Sequence, residues 1–233
     1  MRIGIVGAGA VGSSLARLCI QHGHQVSIAN SRGPKSLMAL AAEIGAAAVD
    51  IADAVTAADV VVIAIPTKAI PLLPKAFFAQ LSERVAVIDT CNYHPELRDG
   101  RIDAIDNGEV ESHWVAKQIG HPVVKAFNNI LATNLVQKAT AKGAQGRIAL
   151  SAAGDSSETK AIVFHLIDAL GFDPVDAGSL ENSWRQQTGT PSYCTDLDAE
   201  SLKRALASAD RSLIAQYRAD REASLRRMMA AKP

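Results

Sequence analysis

The sequence predicts an α/β fold: a doubly wound parallel sheet with helices on both faces, extended at its edge and followed by a C-terminal helical segment. Two observations carry this expectation. Strand-length apolar runs alternate with helical patterns through most of the 233 residues, and the first run ends in a glycine-rich turn that opens a helix. With 48 % hydrophobic and 21 % charged residues, the chain has the composition of a globular protein rather than a disordered one.

Residues 2–6 read as the first strand and 11–22 as a helix that Gly23 can end in a left-handed cap. Residues 25–29 form the second strand, and Pro34 suits the first turn of an alanine-rich helix running through Ile44. Residues 46–49 give a weak third strand and 60–65 a strong fourth. The stretch 68–82 has a helical pattern, although Pro71 and Pro74 should break or kink its first turns. Residues 85–89 make a fifth strand, 108–119 a helix, and 123–127 and 147–151 two more strands. A helix over 157–170 and a short strand near Pro174 and Val175 bring the sheet to about eight strands.

The pattern changes after Gly178, which divides the chain into a dinucleotide-binding domain (1–178) and a C-terminal loop and long helix (179–233). Residues 181–194 are polar and irregular. Thr195 or Asp196 then opens a long helix in which Leu202, Leu206, Leu213 and Tyr217 can share one face. That face can pack on its own domain or on a second copy, so a homodimer is one expectation. The basic end around Arg226, Arg227 and Lys232 reads as frayed and solvated.

Several function classes are disfavoured. A formal charge of zero and 4 % aromatics offer neither the field nor the stacking surface of a nucleic-acid binder. The longest apolar run, 60–66, is too short to span a bilayer, and residues 2–6 already read as strand, so no leader is expected. Three scattered cysteines (Cys19, Cys91, Cys194) suggest neither disulfides nor zinc and favour the reducing cytoplasm. His22 and His24 flank Gly23 without further ligands, so no metal site is expected.

Gly7-Ala8-Gly9-Ala10-Val11-Gly12 is a full GxGxxG pattern in the strand–helix context that makes it informative. Gly7 would permit the tight turn, Gly9 the approach of backbone to a pyrophosphate, and Gly12 close packing of helix on strand. The N–H groups of Ala10 and Val11, at the helix start, would face the phosphates. This implies a Rossmann-type dinucleotide site. At the end of the second strand, where an NAD site usually carries Asp or Glu, stand Asn30-Ser31-Arg32-Gly33-Pro34-Lys35. No acidic residue precedes Glu43, whereas Arg2, Arg17, Arg32 and Lys35 are cationic. A 2′-phosphate would be repelled by a carboxylate; Arg32 can pair with it, Ser31 can donate to it and Lys35 adds charge. NADP(H) is therefore the expected cofactor. Ile65-Pro66-Thr67 and Asp89-Thr90-Cys91-Asn92 end strands on the same carboxyl edge, where such folds bind ligands. Thr67 can contact the ribose or nicotinamide, or cap the following helix.

Together with Lys125-Ala126-Phe127-Asn128-Asn129 and Asp176-Ala177-Gly178-Ser179-Leu180, these motifs resemble the NADP-dependent deazaflavin (coenzyme F-420) oxidoreductase-like family over roughly the first three-quarters of the chain. The resemblance implies reversible hydride transfer between NADP(H) and a small-molecule acceptor, flavin-like or deazaflavin, held against the nicotinamide. It also implies that Asn128, Asn129 and Ile130 border the nicotinamide; Asn128 stands where some members have a histidine. Beyond Leu180 the sequence departs from the family's pattern: Arg185 through Cys194 does not read as the usual acceptor-site ending.

Two alternatives stand beside hydride transfer to a flavin-like acceptor. Reduction of a small carbonyl or imine would need a general acid, for which Lys125 and Tyr193 are the candidates. A non-catalytic NADP(H)-binding sensor or partner module would need none. Cys91 and His94 lack an orienting third group, so they read as a buried thiol beside a turn histidine rather than as a nucleophile and its base. Trp184 and Tyr193 can stack on an acceptor ring or anchor their loop to the core.

Overall fold

Period-two alternation along each strand sorts the apolar side chains onto the two faces of one sheet. A computed structural model of the chain describes residues 1–230. Its eight strands are β1 (Arg2–Val6), β2 (Gln25–Ala29), β3 (Ala47–Ala48), β4 (Val60–Ile63), β5 (Ala86–Asp89), β6 (Val124–Ala126), β7 (Ala149–Ala153) and β8 (Asp173–Asp176), in the order β3-β2-β1-β4-β5-β6-β7-β8.

Ile3, Ile5, Val60, Val62 and Ile88 face α1 (Ala10–Gln21), α2 (Met38–Ile44), α7 (Ala132–Gln137) and α8 (Ser157–Ala169). Val6, Val61, Ile63 and Val87 face the other layer, α3 (Ile51–Thr56), α4 (Lys75–Ala79), α5 (Asp103–Asp106) and α6 (Glu111–Ile119). The doubly wound arrangement is thus the expected one. No described helix is long and apolar enough to cross a membrane.

The structure corrects several expectations. Strands β1 to β6 are parallel, but β7 runs antiparallel to β6, and β8 follows β7. Alternation reports which face a residue occupies and not the direction of its strand. The connection between β6 and β7 holds only the six-residue α7, which packs against α1, so no helix crosses over the sheet to return the chain in parallel. Because β8 runs backwards, the chain leaves it at the amino edge of the parallel strands. A 3₁₀ segment, Leu180–Gln186, then carries it back along β6. The stretch 68–82 is a 3₁₀ turn (Thr67–Leu72) containing Pro71, followed by the short α4 capped by Pro74.

The single long C-terminal helix is two: α9 (Ala199–Ser208) and α10 (Ile214–Ala230). Asp210 interrupts them by accepting from the Ser212 N–H at 2.9 Å, which starts a new helical turn. Leu202 and Leu206 bury against Ala149 and Val175 of the molecule's own sheet, whereas Leu213 is exposed. The basic end is helical rather than frayed as far as Ala230, with Arg226 against Glu96; Lys232 lies outside the described residues.

Candidate functional site

The carboxyl edge of the parallel strands begins with the glycine turn. Gly7 adopts φ +120°, and a Cβ there would lie 2.2 Å from the Ala64 carbonyl oxygen. At Gly12 a Cβ would meet the Gly7 carbonyl oxygen at 2.0 Å, so α1 packs against the turn only because no side chain intervenes. Gly9 differs: a Cβ there would meet nothing within 4 Å. That open space faces the first turn of α1, whose earliest intrahelical bond runs from the Ser13 N–H to Gly9 O at 2.9 Å. The N–H groups of Ala10, Val11 and Gly12 therefore have no helical acceptor, and Gly9 supplies no side-chain cap. A pyrophosphate fits these donors.

Beyond β2, the Asn30 side chain organises the basic loop. Its Oδ1 accepts from the Arg32 N–H at 2.9 Å and from Ser36 Oγ at 3.1 Å, and Ser36 Oγ reaches Gly33 O at 2.8 Å. Ser31, Arg32 and Lys35 are exposed around this rigid centre. Two of the four early cations are neutralised, Arg2 by Asp59 at 2.6 Å and Arg17 by Glu43 at 2.7 Å. Among the described residues, Arg32 and Lys35 form no ion pair.

From the glycine turn a cleft of about 360 Å³ runs across β4, β5 and β6. Gly9, Ala10 and Val11 line one end, Ala64, Ile65 and Pro66 follow, and Thr90, Cys91, Asn92, Asn128 and Ile130 line the middle. His94, Arg98, Leu131, Ala132, Tyr193 and Cys194 complete it. Asn92 and Asn128 are locked together: Asn128 Nδ2 donates to Asn92 Oδ1 (3.0 Å) and Gln186 O (2.6 Å), and Asn92 Nδ2 donates to Asn128 O (3.1 Å). Gln186 Nε2 returns to Asn128 Oδ1 and Lys125 O. The 3₁₀ segment is thereby stitched to the cleft floor.

Beneath this floor lies a sealed charge network. Asp89 and Lys125 are paired in the β5–β6 register and both side chains are 0 % exposed, with Nζ 3.2 Å from Oδ2. Lys125 also donates to Cys91 O, while Asp89 accepts from the Cys91 N–H (2.8 Å) and Ser112 Oγ (2.7 Å). Glu111 accepts from the Tyr93 N–H and from Arg218, whose guanidinium stacks 4.7 Å from the Tyr93 ring centroid. Desolvation opposes the Lys125 ammonium, but the fields of Asp89 and Glu111 and the bond to Asp89 hold its pKa above the usual lysine value.

Apart from Arg98, the titratable side chains that line the cleft are held uncharged. Burial pushes the Cys91 thiol far up, with Asp89 adding to it, and takes Cys194 to about 11. Burial also raises the Tyr193 phenol. His94 is lowered to about 4 by desolvation, then by Arg98, against a smaller opposing effect of Asp99.

A sequence model of the family described as NADP oxidoreductase, coenzyme F420-dependent, matches residues 2–93. A hypothetical protein from Sinorhizobium meliloti superposes with a TM-score of 0.71 at 34 % identity, covering 84 % of this chain and 94 % of that one. Residues 2–93 thus carry the sequence pattern of the coenzyme F420-dependent NADP oxidoreductase family.

A candidate F420-dependent NADP reductase from Arthrobacter sp. FB24 shares the fold, with a TM-score of 0.63 at 22 % identity, covering 78 % of this chain and 87 % of that one. The Escherichia coli (strain K12) protein YjhV is 44 % identical over 68 residues, which are 29 % of this chain and 50 % of that protein. The match thus spans half the length of this curated relative. The family whose model matches is described as one of NADP oxidoreductases.

Of the residues singled out in the sequence, the cleft brings together Gly9, Ala10, Val11, Ile65, Pro66, Cys91, Asn92, His94, Asn128, Ile130 and Tyr193. Gly7 and Gly12 lie behind them as the turn's support. Thr67 is buried, with its Oγ1 lacking a partner, and does not line the cleft. Asn129 is also buried; its carbonyl accepts from the Cys194 N–H at 2.9 Å, and its Oδ1 is unpartnered. Lys125 is not a cleft acid, because Asp89 sequesters it. Sequence reasoning missed Ser36, Arg98 and the Glu111–Arg218 pair. Asn30 followed by Ser36 around Gly-Pro was a readable turn signal for the first. Nothing local marked the others, which are assembled across as many as 107 residues of chain.

Proposed function

We propose that this chain transfers a hydride between NADP(H) and a flavin-like or deazaflavin acceptor. The observation that carries the reading is one continuous cleft, open at Gly9 and floored by a locked amide pair, whose lining thiols, phenol and imidazole are kept uncharged. When bound, NADP(H) supplies the hydride with its electron pair. The chain binds and orients. Ala10, Val11 and Gly12 offer N–H donors to the pyrophosphate, and Asn30, Ser31, Arg32 and Lys35 receive the 2′-phosphate. Ile65, Pro66 and Asn128 form the walls at the nicotinamide end, with Thr67 and Asn129 packed behind them. Hydride transfer needs near-attack alignment and exclusion of water rather than an acid at the reacting carbon, which suits this lining.

In this reading residues 1–178 hold the dinucleotide and 179–233 complete the acceptor cleft, supported by Tyr193 and Cys194 in its wall. Three free thiols suit the reducing cytoplasm. One observation favours a second reading, reduction of a small carbonyl or imine: Tyr193 lines the cleft, and burial keeps its phenol protonated, as a proton donor must be.

NADPH oxidation, followed with a deazaflavin, free flavins, ferric chelates and small carbonyls, tests both. Turnover with a flavin or deazaflavin supports the first reading, and turnover with carbonyls alone supports the second. Tight NADPH binding without any turnover would replace both with a sensor or partner module.

A further inference from the structure

The end of the cleft remote from Gly9 is unusual in its charge. Among the described residues, Arg98 is the one permanently charged side chain lining the cleft, and no carboxylate lines it. The guanidinium is only partly committed. Its Nε and Nη2 contact Asp99 at 3.2 and 2.9 Å, and Nη2 also reaches Asn92 O. Its Nη1 has no partner among the described residues. Asp99 faces protein, with its side chain 0 % exposed, whereas Arg98 remains 40 % exposed. The guanidinium is thus held by its back edge and presents its front.

A second arginine stands behind the opposite wall. Arg221 on α10 lies 5.6 Å from the ring centroid of Tyr193, forms no ion pair among the described residues, and has a buried Nε without an acceptor. Its neighbour Glu222 does not neutralise it: that carboxylate is turned toward the Glu96 N–H (3.2 Å) and His94 Nδ1 (3.8 Å). Both arginines act on His94 and help to keep it neutral, so it adds no further charge of its own. A neutral occupant would leave the free edge of Arg98 and the unpaired Arg221 without an anionic partner. An anion would pair with the free edge of Arg98 and be reinforced by the field of Arg221.

We propose that the acceptor carries an anionic group, a carboxylate or a phosphate, bound by Arg98 and supported by Arg221 from behind Tyr193. This rests on the reading of the cleft as the NADP(H) site and specifies the acceptor's class within it.

Two matched pairs of probes, differing in the presence of the anion, test it by calorimetry on the full chain saturated with NADP⁺: FMN against riboflavin, and pyruvate against acetone. The charged member of at least one pair should bind at least about tenfold tighter than its neutral partner. Which pair responds distinguishes phosphate from carboxylate. In Arg221→Gln the preference should fall below about threefold, with NADPH affinity measured alongside as the control for folding. The proposal is overturned if neutral and charged members bind alike, if NADPH binds but neither charged probe does, or if Arg221→Gln keeps the full preference. Failure of the wild-type chain to bind NADPH would instead overturn the cofactor reading beneath it.

Discussion

Lys125→Met isolates what the sealed charge pair contributes. Methionine keeps most of the alkyl volume, so no large cavity opens, but Asp89 loses its only buried cation within 4 Å. Two donors remain to it, the Cys91 N–H at 2.8 Å and Ser112 Oγ at 2.7 Å, while the Cys91 carbonyl loses the ammonium. Removing one partner of a buried pair costs about 3–5 kcal/mol, and the two surviving donors place the expected loss near the lower figure. That is a large share of the roughly 5–15 kcal/mol by which domains are stable. Urea unfolding at pH 7 with linear extrapolation measures it.

The sign with pH follows from the stranded carboxylate. Without the ammonium the buried carboxylate is disfavoured only while it is ionised, so the deficit should grow as pH rises and shrink toward acid. The double variant Lys125→Met, Asp89→Leu should recover much of the loss, because neither member of the pair is left charged without the other. A deficit below about 1 kcal/mol, or one independent of pH, would refute the reasoning.

Three further outcomes are expected. Arg32→Ala should weaken NADPH by about 1.5–3 kcal/mol, roughly ten- to 150-fold, and leave NADH nearly unchanged in fluorescence titrations; equal losses would remove Arg32 from the 2′-phosphate. Gly9→Val places its side chain in open space at φ −76°, so the melting temperature should hold while NADPH affinity falls by about a hundredfold or more. An unaffected affinity would show that no pyrophosphate approaches there. His94 is neutral in the fold and takes up a proton more readily in the unfolded chain. It should therefore cost up to about 3 kcal/mol of stability as pH falls from 6.5 to about 4, a loss that His94→Gln should remove from the urea midpoints.

The legible parts of the sequence were the local ones. The glycine turn of β1 and α1, the alternation along β4 and β5, and the proline interruption near Pro71 each follow from neighbours a few residues apart. The basic loop after β2 was legible for the same reason, since Asn30 and Ser36 build it themselves. Direction and assembly were not. Alternation in β7 is the same in either direction, and α9 and α10 carry one continuous helical pattern until Asp210 caps a new turn. Arg98 lines the cleft and Arg221 stands behind Tyr193 through folding that joins the segment after β5 to the last helix. Lys125 read as a candidate acid because its only informative neighbour, Asp89, is 36 residues away in sequence and one strand away in space.

The most direct test is a titration of the unmodified protein with NADPH and with NADH under identical salt. Binding of NADPH at least about tenfold tighter than NADH is the predicted result. Equal or reversed affinities, or no binding of either dinucleotide, would contradict the assignment of the Gly9 cleft and its free Arg32–Lys35 edge.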